Sequence, residues 1–172
     1  MPDATGLELI AQRVRSSVGD EAVVDTVFFR EEATLDVAPG AVHDVLEHLS
    51  RTDEEPWTRL MSLHGVDYLP AEPRFGVHYQ LLSMERTDRL NVRTRVNDGE
   101  HLPTVVDLFP TADFQEREVY DMFGVVFDGH PDLRRILLPE DYTGYPQRRD
   151  FPVGGEPVLF TFNEKKLPRW YD

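Results

Sequence analysis

Phe75-Gly76-Val77-His78-Tyr79-Gln80-Leu81-Leu82-Ser83-Met84, followed by Leu90-Asn91-Val92-Arg93-Thr94-Arg95-Val96, alternates between two kinds of side chain. Val77, Tyr79 and Leu81 stand against Gly76, His78 and Gln80, and Leu90, Val92, Thr94 and Val96 stand against Asn91, Arg93 and Arg95. A period of two places one set on each face of a strand, so both runs are expected to be strands with one buried and one wet face, as antiparallel strands often have. Leu60 to Tyr68 reads as a third strand beside them.

Upstream, Thr5 to Val18 carries Leu9, Ile10, Val14 and Val18 near helical spacing and stops at Gly19, which predicts an amphipathic helix covering one side of the sheet. Ala22 to Phe29 is rich in Val and Phe, and Ala33 to Val37 alternates, so a pair of strands with a polar turn follows. Val42, Val45, Leu46 and Leu49 fall at i, i+3, i+4 and i+7, the pattern of a second helix. The order helix, two strands, helix, three strands, helix predicts a two-layer α+β domain with a mainly antiparallel sheet and helices packed on it.

Downstream the composition changes. Eight of the 13 prolines lie at or beyond Pro103, a density that prevents a long helix and removes ladder donors. The α+β domain is therefore expected over residues 1–152, with an extended C-terminal tail over 153–172. That tail carries Phe160, Phe162, Trp170 and Tyr171, too many large apolar groups for a solvated linker. It suits either a fold back over its own domain or an arm laid on a partner.

The 172 residues fit one domain, and no apolar run approaches the roughly 18 residues of a membrane-spanning helix. Met1 to Ile10 lacks the basic start and apolar core of a secretory signal, so the default expectation is the cytoplasm. A net charge of −14 opposes unaided binding to nucleic acid or an anionic membrane. Without cysteine the chain has no thiol nucleophile, no disulfide and no thiolate ligand for an iron–sulfur cluster.

Pro110 to Phe123 is expected to be a short helix stopped at Gly124, with Thr111 or Asp113 as N-cap and Asp113 with Glu116 in a capping box. Ala112, Val119, Met122 and Phe123 cluster on one face, and Phe114, Arg117, Glu118 and Asp121 stand on another. A solvated face rarely centres its charges on a phenylalanine. Arg117 and Asp121 could form a surface i, i+4 pair worth about 0.2 to 0.5 kcal/mol; alternatively the second face meets another protein of an assembly, and charges buried there need partners across the interface. Asp128-Gly129-His130-Pro131 is a rigid turn.

The chain contains no GxxxxGK[ST] loop, GxGxxG turn, GxSxG elbow or HExxH helix. Arg134-Arg135 and Arg148-Arg149 could grip phosphate or carboxylate, yet residues 116–151 hold five basic and eight acidic residues, which is no basic patch. His43 and His48, five apart, do not share the face of an i, i+4 metal pair. A metal-dependent hydrolase would draw on Glu116, Glu118, Asp121 and His130, but about 160° of helix separates Glu116 from Glu118.

The run EREVYDMFGVVFDGHPDLRRILLPEDY, beginning at Glu116, resembles the signature of the C-subunit family of complex I, the thirty-kilodalton-type component of proton-pumping NADH:quinone oxidoreductases. Arg148-Arg149-Asp150-Phe151-Pro152 and the upstream order of elements resemble the family as well. One departure stands at Tyr145 and Gln147, where related proteins often have histidine before the proline and leucine after it. The resemblance implies a non-catalytic component of the peripheral arm, packed beside the D subunit and near the B subunit, on the cytoplasmic side of the plasma membrane. Flavin (FMN), iron–sulfur clusters and quinone are then expected on other subunits, with no cofactor, metal or catalytic residue in this chain. Glu116, Arg117, Glu118, Asp121, His130, Asp132, Arg134 and Arg135 match the signature and carry over as structural and interface positions, joined by Phe114, Arg148 and Arg149. The same resemblance leaves room for a related ferredoxin- or F420H2-linked quinone reductase or a membrane-bound hydrogenase.

Overall fold

The computed structural model describes residues 2–52 and 56–152. The expected tail, 153–172, lies outside the described residues.

Helix α1 (Ala4–Val18) opens the chain, with the Asp3 carboxylate accepting from the Gly6 N–H and Gly19 ending it at φ 138°. It buries Leu7, Ile10, Ala11 and Val14; Leu9, expected on the apolar face, is 52% exposed. Strands β1 (Val23–Phe29) and β2 (Glu32–Val37) form a hairpin, and the short helix α2 (Val42–Glu47) continues into a π-helical turn over His48–Thr52. Val42, Val45, Leu46 and Leu49 are all fully buried, as their spacing requires.

Strands β3 (Arg59–Asp67), β4 (Phe75–Leu82) and β5 (Arg89–Val96) complete a sheet ordered β1-β2-β5-β4-β3. Every neighbouring pair is antiparallel except β2 with β5. That one parallel pairing arises because β5 returns to the sheet's middle, between β4 and β2. The α+β class therefore stands. The alternation in β4 and β5 is also as read: Val77, Tyr79, Leu81, Leu90, Val92 and Val96 are buried in the core.

A second, two-stranded parallel sheet of β6 (His101–Pro103) and β7 (Val126–Asp128) was not expected. Three-residue strands are too short to show a period. Between them lies helix α3 (Ala112–Phe123), which begins two residues later than expected and packs beside edge strand β3. Gln115 Oε1 accepts from the Leu63 N–H at 2.5 Å, blunting that edge. Gly65 allows the close approach, because a Cβ there would meet the Phe123 ring at 2.6 Å.

Candidate functional site

Helix α3 and the coil that follows β7 hold most of the residues singled out above. The residue capping the start of the helix is Thr111, whose side chain makes no cap hydrogen bond. The expected capping box is absent because Glu116 turns inward. Its carboxylate accepts from the Thr104 hydroxyl at 2.6 Å and from the Val105 N–H at 2.8 Å, in a fully buried position. Burial pushes its pKa up to about 7; those two hydrogen bonds pull the other way, and Asp113 and Asp107 add repulsion.

Asp121, also fully buried, meets the opposite surroundings. One carboxylate oxygen accepts from the Arg135 guanidinium at 2.6 Å, and the other accepts from the N–H groups of Ile136, Leu137 and Leu138 at 3.0, 2.8 and 2.9 Å. Burial opposes the charge, but these donors outweigh it and hold the pKa below the usual carboxylate value. Arg135 also reaches the carbonyls of Asp121 and Gly144 and lies over the rings of Tyr142 and Tyr145. The Asp121 side chain thus closes a coil onto its helix, replacing three strand-type or helix-type backbone bonds that the proline-rich segment cannot make for itself.

The expectation that Asp121 pairs with Arg117, or with a charge across an interface, is therefore corrected. Arg117 instead donates to the carbonyls of Arg134 and Arg135 at 3.1 and 3.2 Å. His130, whose side chain is fully enclosed, donates from Nε2 to the Asp113 carbonyl at 3.1 Å and accepts at Nδ1 from the Asp132 N–H at 3.0 Å. Glu116 and Asp121, at 0% exposure, and the enclosed His130 ring cannot themselves form an intermolecular surface.

Arg148 stands at the end of α3. It donates to the Phe123 carbonyl at 2.7 Å and to both carboxylate oxygens of Asp98 at 2.8 Å, between the rings of Phe75 and Tyr145. The Arg149 N–H donates to Asp67 at 2.8 Å, and its guanidinium to the Leu69 carbonyl. Both guanidinium groups are thus engaged within the chain. Asp67 and Asp150 share Arg74, and those hydrogen bonds keep Asp67 ionised against its burial. Asp67, Arg74, Asp98 and Thr104 escaped the sequence reading, since each is an ordinary polar residue with a partner that no local pattern marks.

What remains outward is Phe114 at 61% exposure, with Glu118, Asp132, Arg134 and Leu137 on the same stretch of chain. Arg134 bonds Asp132 at 2.9 Å within this outer set. Of the four residues that a metal-dependent hydrolase would use, His130 Nε2 and Glu116 come together at 3.9 Å, but Glu118 faces water and Asp121 is held by Arg135 and the coil backbone, so the four do not converge. Among the described residues, His43, Asp44 and Glu47 offer ligand atoms within 4.8 Å of one another. His43 is already 3.1 Å from Asp107, and both acidic members are exposed.

The family model of the 30 kDa subunit of the respiratory-chain NADH dehydrogenase matches residues 35–157. The chain belongs to this family. It is 41% identical over 161 residues to the C subunit of NADH-quinone oxidoreductase from Roseiflexus sp. (strain RS-1), covering 92% of this chain and 91% of that one. It is 52% identical over 109 residues to the corresponding C subunit from Herpetosiphon aurantiacus, covering 63% of this chain and 64% of that one. The fold is shared with a chain in the structure of the membrane-bound sulfane sulfur reductase, an archaeal respiratory membrane complex: TM-score 0.67, 23% identity, 92% of this chain and 90% of that one covered. As a member of the 30 kDa family, the chain is a component of a multisubunit NADH-quinone oxidoreductase, so other components of that complex are its partners. Among the described residues, no helix is long and apolar enough to cross a membrane.

Proposed function

We propose that this protein is a scaffold of the quinone-reducing module, packing beside the D and B subunits of complex I on the cytoplasmic side of the membrane. It contributes shape and not chemistry, while flavin, iron–sulfur clusters and quinone reside on the other subunits. The observation that carries this reading is the internal neutralisation of the family signature. Asp121, Arg135, Glu116 and His130 spend their bonding capacity on the chain's own backbone and side chains. The result is a stiff ridge whose outer surface presents Phe114 beside charges. A pre-ordered surface loses little freedom on binding, which favours a permanent structural contact.

The test is purification of the complex through a tag on this chain, in mild detergent, with wild type and Phe114→Ser side by side. Wild type should bring down the D and B subunits with NADH:quinone reductase activity. The variant should recover less of them while its own melting temperature stays put. An intact, active complex lacking this chain, with the chain itself monomeric in the same cells, would overturn the proposal.

A further inference from the structure

The sheet has two faces, and the helices occupy one. On the other, the strand register aligns Arg59 and Arg89 on either side of Leu82, His64 beside His78, and His78 beside Arg93. Across β3, β4 and β5 this outward face carries Arg59, Arg89, Arg93, Arg95, His64 and His78 and no carboxylate. The whole chain has 32 acidic and 18 basic residues, so three adjacent strands free of outward acid depart sharply from its composition.

The face is also organised. His64 and His78 stack with ring centroids 5.1 Å apart, Tyr68 Oη lies 3.0 Å from His78 Nε2, and Asn91 Nδ2 lies 3.1 Å from His78 Nδ1. Burial, with the nearby His64 and Arg93, lowers the His78 pKa to about 4, so the stacked pair does not carry a charge on that ring at neutral pH. Arg93 is engaged by Asp36 of β2, and Arg95 bonds the Pro73 carbonyl and lies over the Tyr68 ring. Arg59 and Arg89 differ. Both are exposed, and neither makes a side-chain hydrogen bond or ion pair among the described residues. Beside them runs a groove of about 240 Å³ lined by Met61, Ser62, Gln80, Asn91 and Arg89, with Glu32 of β2 on the Arg89 side, as the parallel β2–β5 register requires.

We infer that this sheet face, uncovered among the described residues, is a second docking surface, taking an acidic segment of a neighbouring protein of the complex whose carboxylates meet Arg59 and Arg89. The inference rests on the proposed place of this chain in the assembled complex. Charge complementarity selects the occupant. A second copy of a chain with net charge −14 would bring general repulsion, and so would an anionic lipid surface. A neighbour already held at the α3 ridge needs no long-range attraction and is selected by local pairing alone. Glu32 limits the site to the β3–β5 side of the groove, since a carboxylate placed nearer β2 would meet a like charge.

The test uses the assembled complex, with a photo-crosslinking residue replacing Gln80 and oxidative labelling read at Met61, which is 48% exposed in the chain alone. The expected result is a crosslink into an acidic stretch of another protein of the complex and protection of Met61 relative to the free full-length chain. The charge-reversal pair Arg59→Glu with Arg89→Glu should lower incorporation into the complex by about tenfold, in line with reversal of close charge pairs. Because both side chains are exposed and unbonded, and Glu32 adds only a surface like-charge contact beside residue 89, the melting temperature should change little while incorporation falls. Crosslinks to lipid or to a second copy, or equal labelling of Met61 in the complex and the free chain, would overturn the inference. If that happens while the chain still purifies with the D and B subunits, the docking surface fails and the scaffold role stands. Failure to purify with the complex at all would remove both.

Discussion

Glu116 and Asp121 stand five residues apart on α3, both fully buried, and they show how differently one helix can house two carboxylates. Asp121 sits at the C-terminal end, where Arg135 and three backbone N–H groups surround it and favour its charge. Glu116 sits nearer the N-terminal end with two neutral donors, and the charges of Asp113 and Asp107 act against its own. Both side chains are closed to solvent, but Glu116 lies deeper in the protein, and burial is the largest influence on its pKa. At Asp121 the number and charge of the donors outweigh burial; at Glu116 two neutral donors do not.

Removing the charge at Asp121 should therefore have the largest effect. Asp121→Asn strands the Arg135 guanidinium in a nearly enclosed position and asks an amide nitrogen to sit where N–H groups point. Breaking a buried pair from one side costs about 3 to 5 kcal/mol. Such a loss is a large share of the stability of a domain this size, about 5 to 15 kcal/mol. Urea unfolding of the full-length chain would measure it. A loss below about 1 kcal/mol would mean that the coil over 134–138 is held by something other than this carboxylate.

The acid limb of the stability profile should come from the same group. Its folded pKa lies below the ordinary value of 3.8, so its contribution is complete above that value and is lost as pH falls through the folded pKa. Asp121→Asn should flatten this limb.

Gly124 tests whether the end of the helix must be as it is. It adopts φ 80° at the C-cap, and a Cβ would meet the Tyr145 ring at 2.6 Å and Arg148 Nη2 at 2.8 Å. Gly124→Ala should cost about 1 to 3 kcal/mol, part of it left-handed backbone strain and part displacement of the Arg148 clamp. Asp98→Asn provides the control, since it weakens the clamp without touching the backbone. If both variants lose the same stability in urea unfolding, the clamp alone accounts for the effect.

These contrasts mark what the sequence could and could not disclose. The strands β4 and β5 and the buried set of α2 were legible because a period repeats a signal over many residues. The stop at Gly124 was legible because one residue type suits that backbone. The direction of Asp121 was not. Its helical angle placed it with Phe114 and Glu118, but a coil of unspecified path came back to cover that side of the helix. The same limit hid Glu116, whose partners Thr104 and Val105 precede the helix through a connection with no period. The surface ridge was legible only as Phe114 among charges, and the motif was recognisable without its internal bonding being readable.

The smallest expected effect is at Glu116, and it separates the two ends of α3 by sign. In the unfolded chain this group titrates near 4.5, and in the folded chain near 7. Between these values the folded state holds a proton that the unfolded state has released, so stability falls as pH rises through the window and levels off above it. Glu116→Gln keeps an oxygen to accept from the Val105 N–H and an amide that can donate to the Thr104 oxygen, and it removes the titration. At about pH 5 the substitution should change stability by no more than about 1 kcal/mol, the value of one neutral hydrogen bond. Above pH 7 the variant should gain on wild type, because only wild type then buries a carboxylate among acids. Thermal unfolding from pH 4.5 to pH 8 would show the two curves separating as pH increases. Parallel curves would mean that Glu116 is ionised throughout, and the two buried acids of α3 would then share one electrostatic fate.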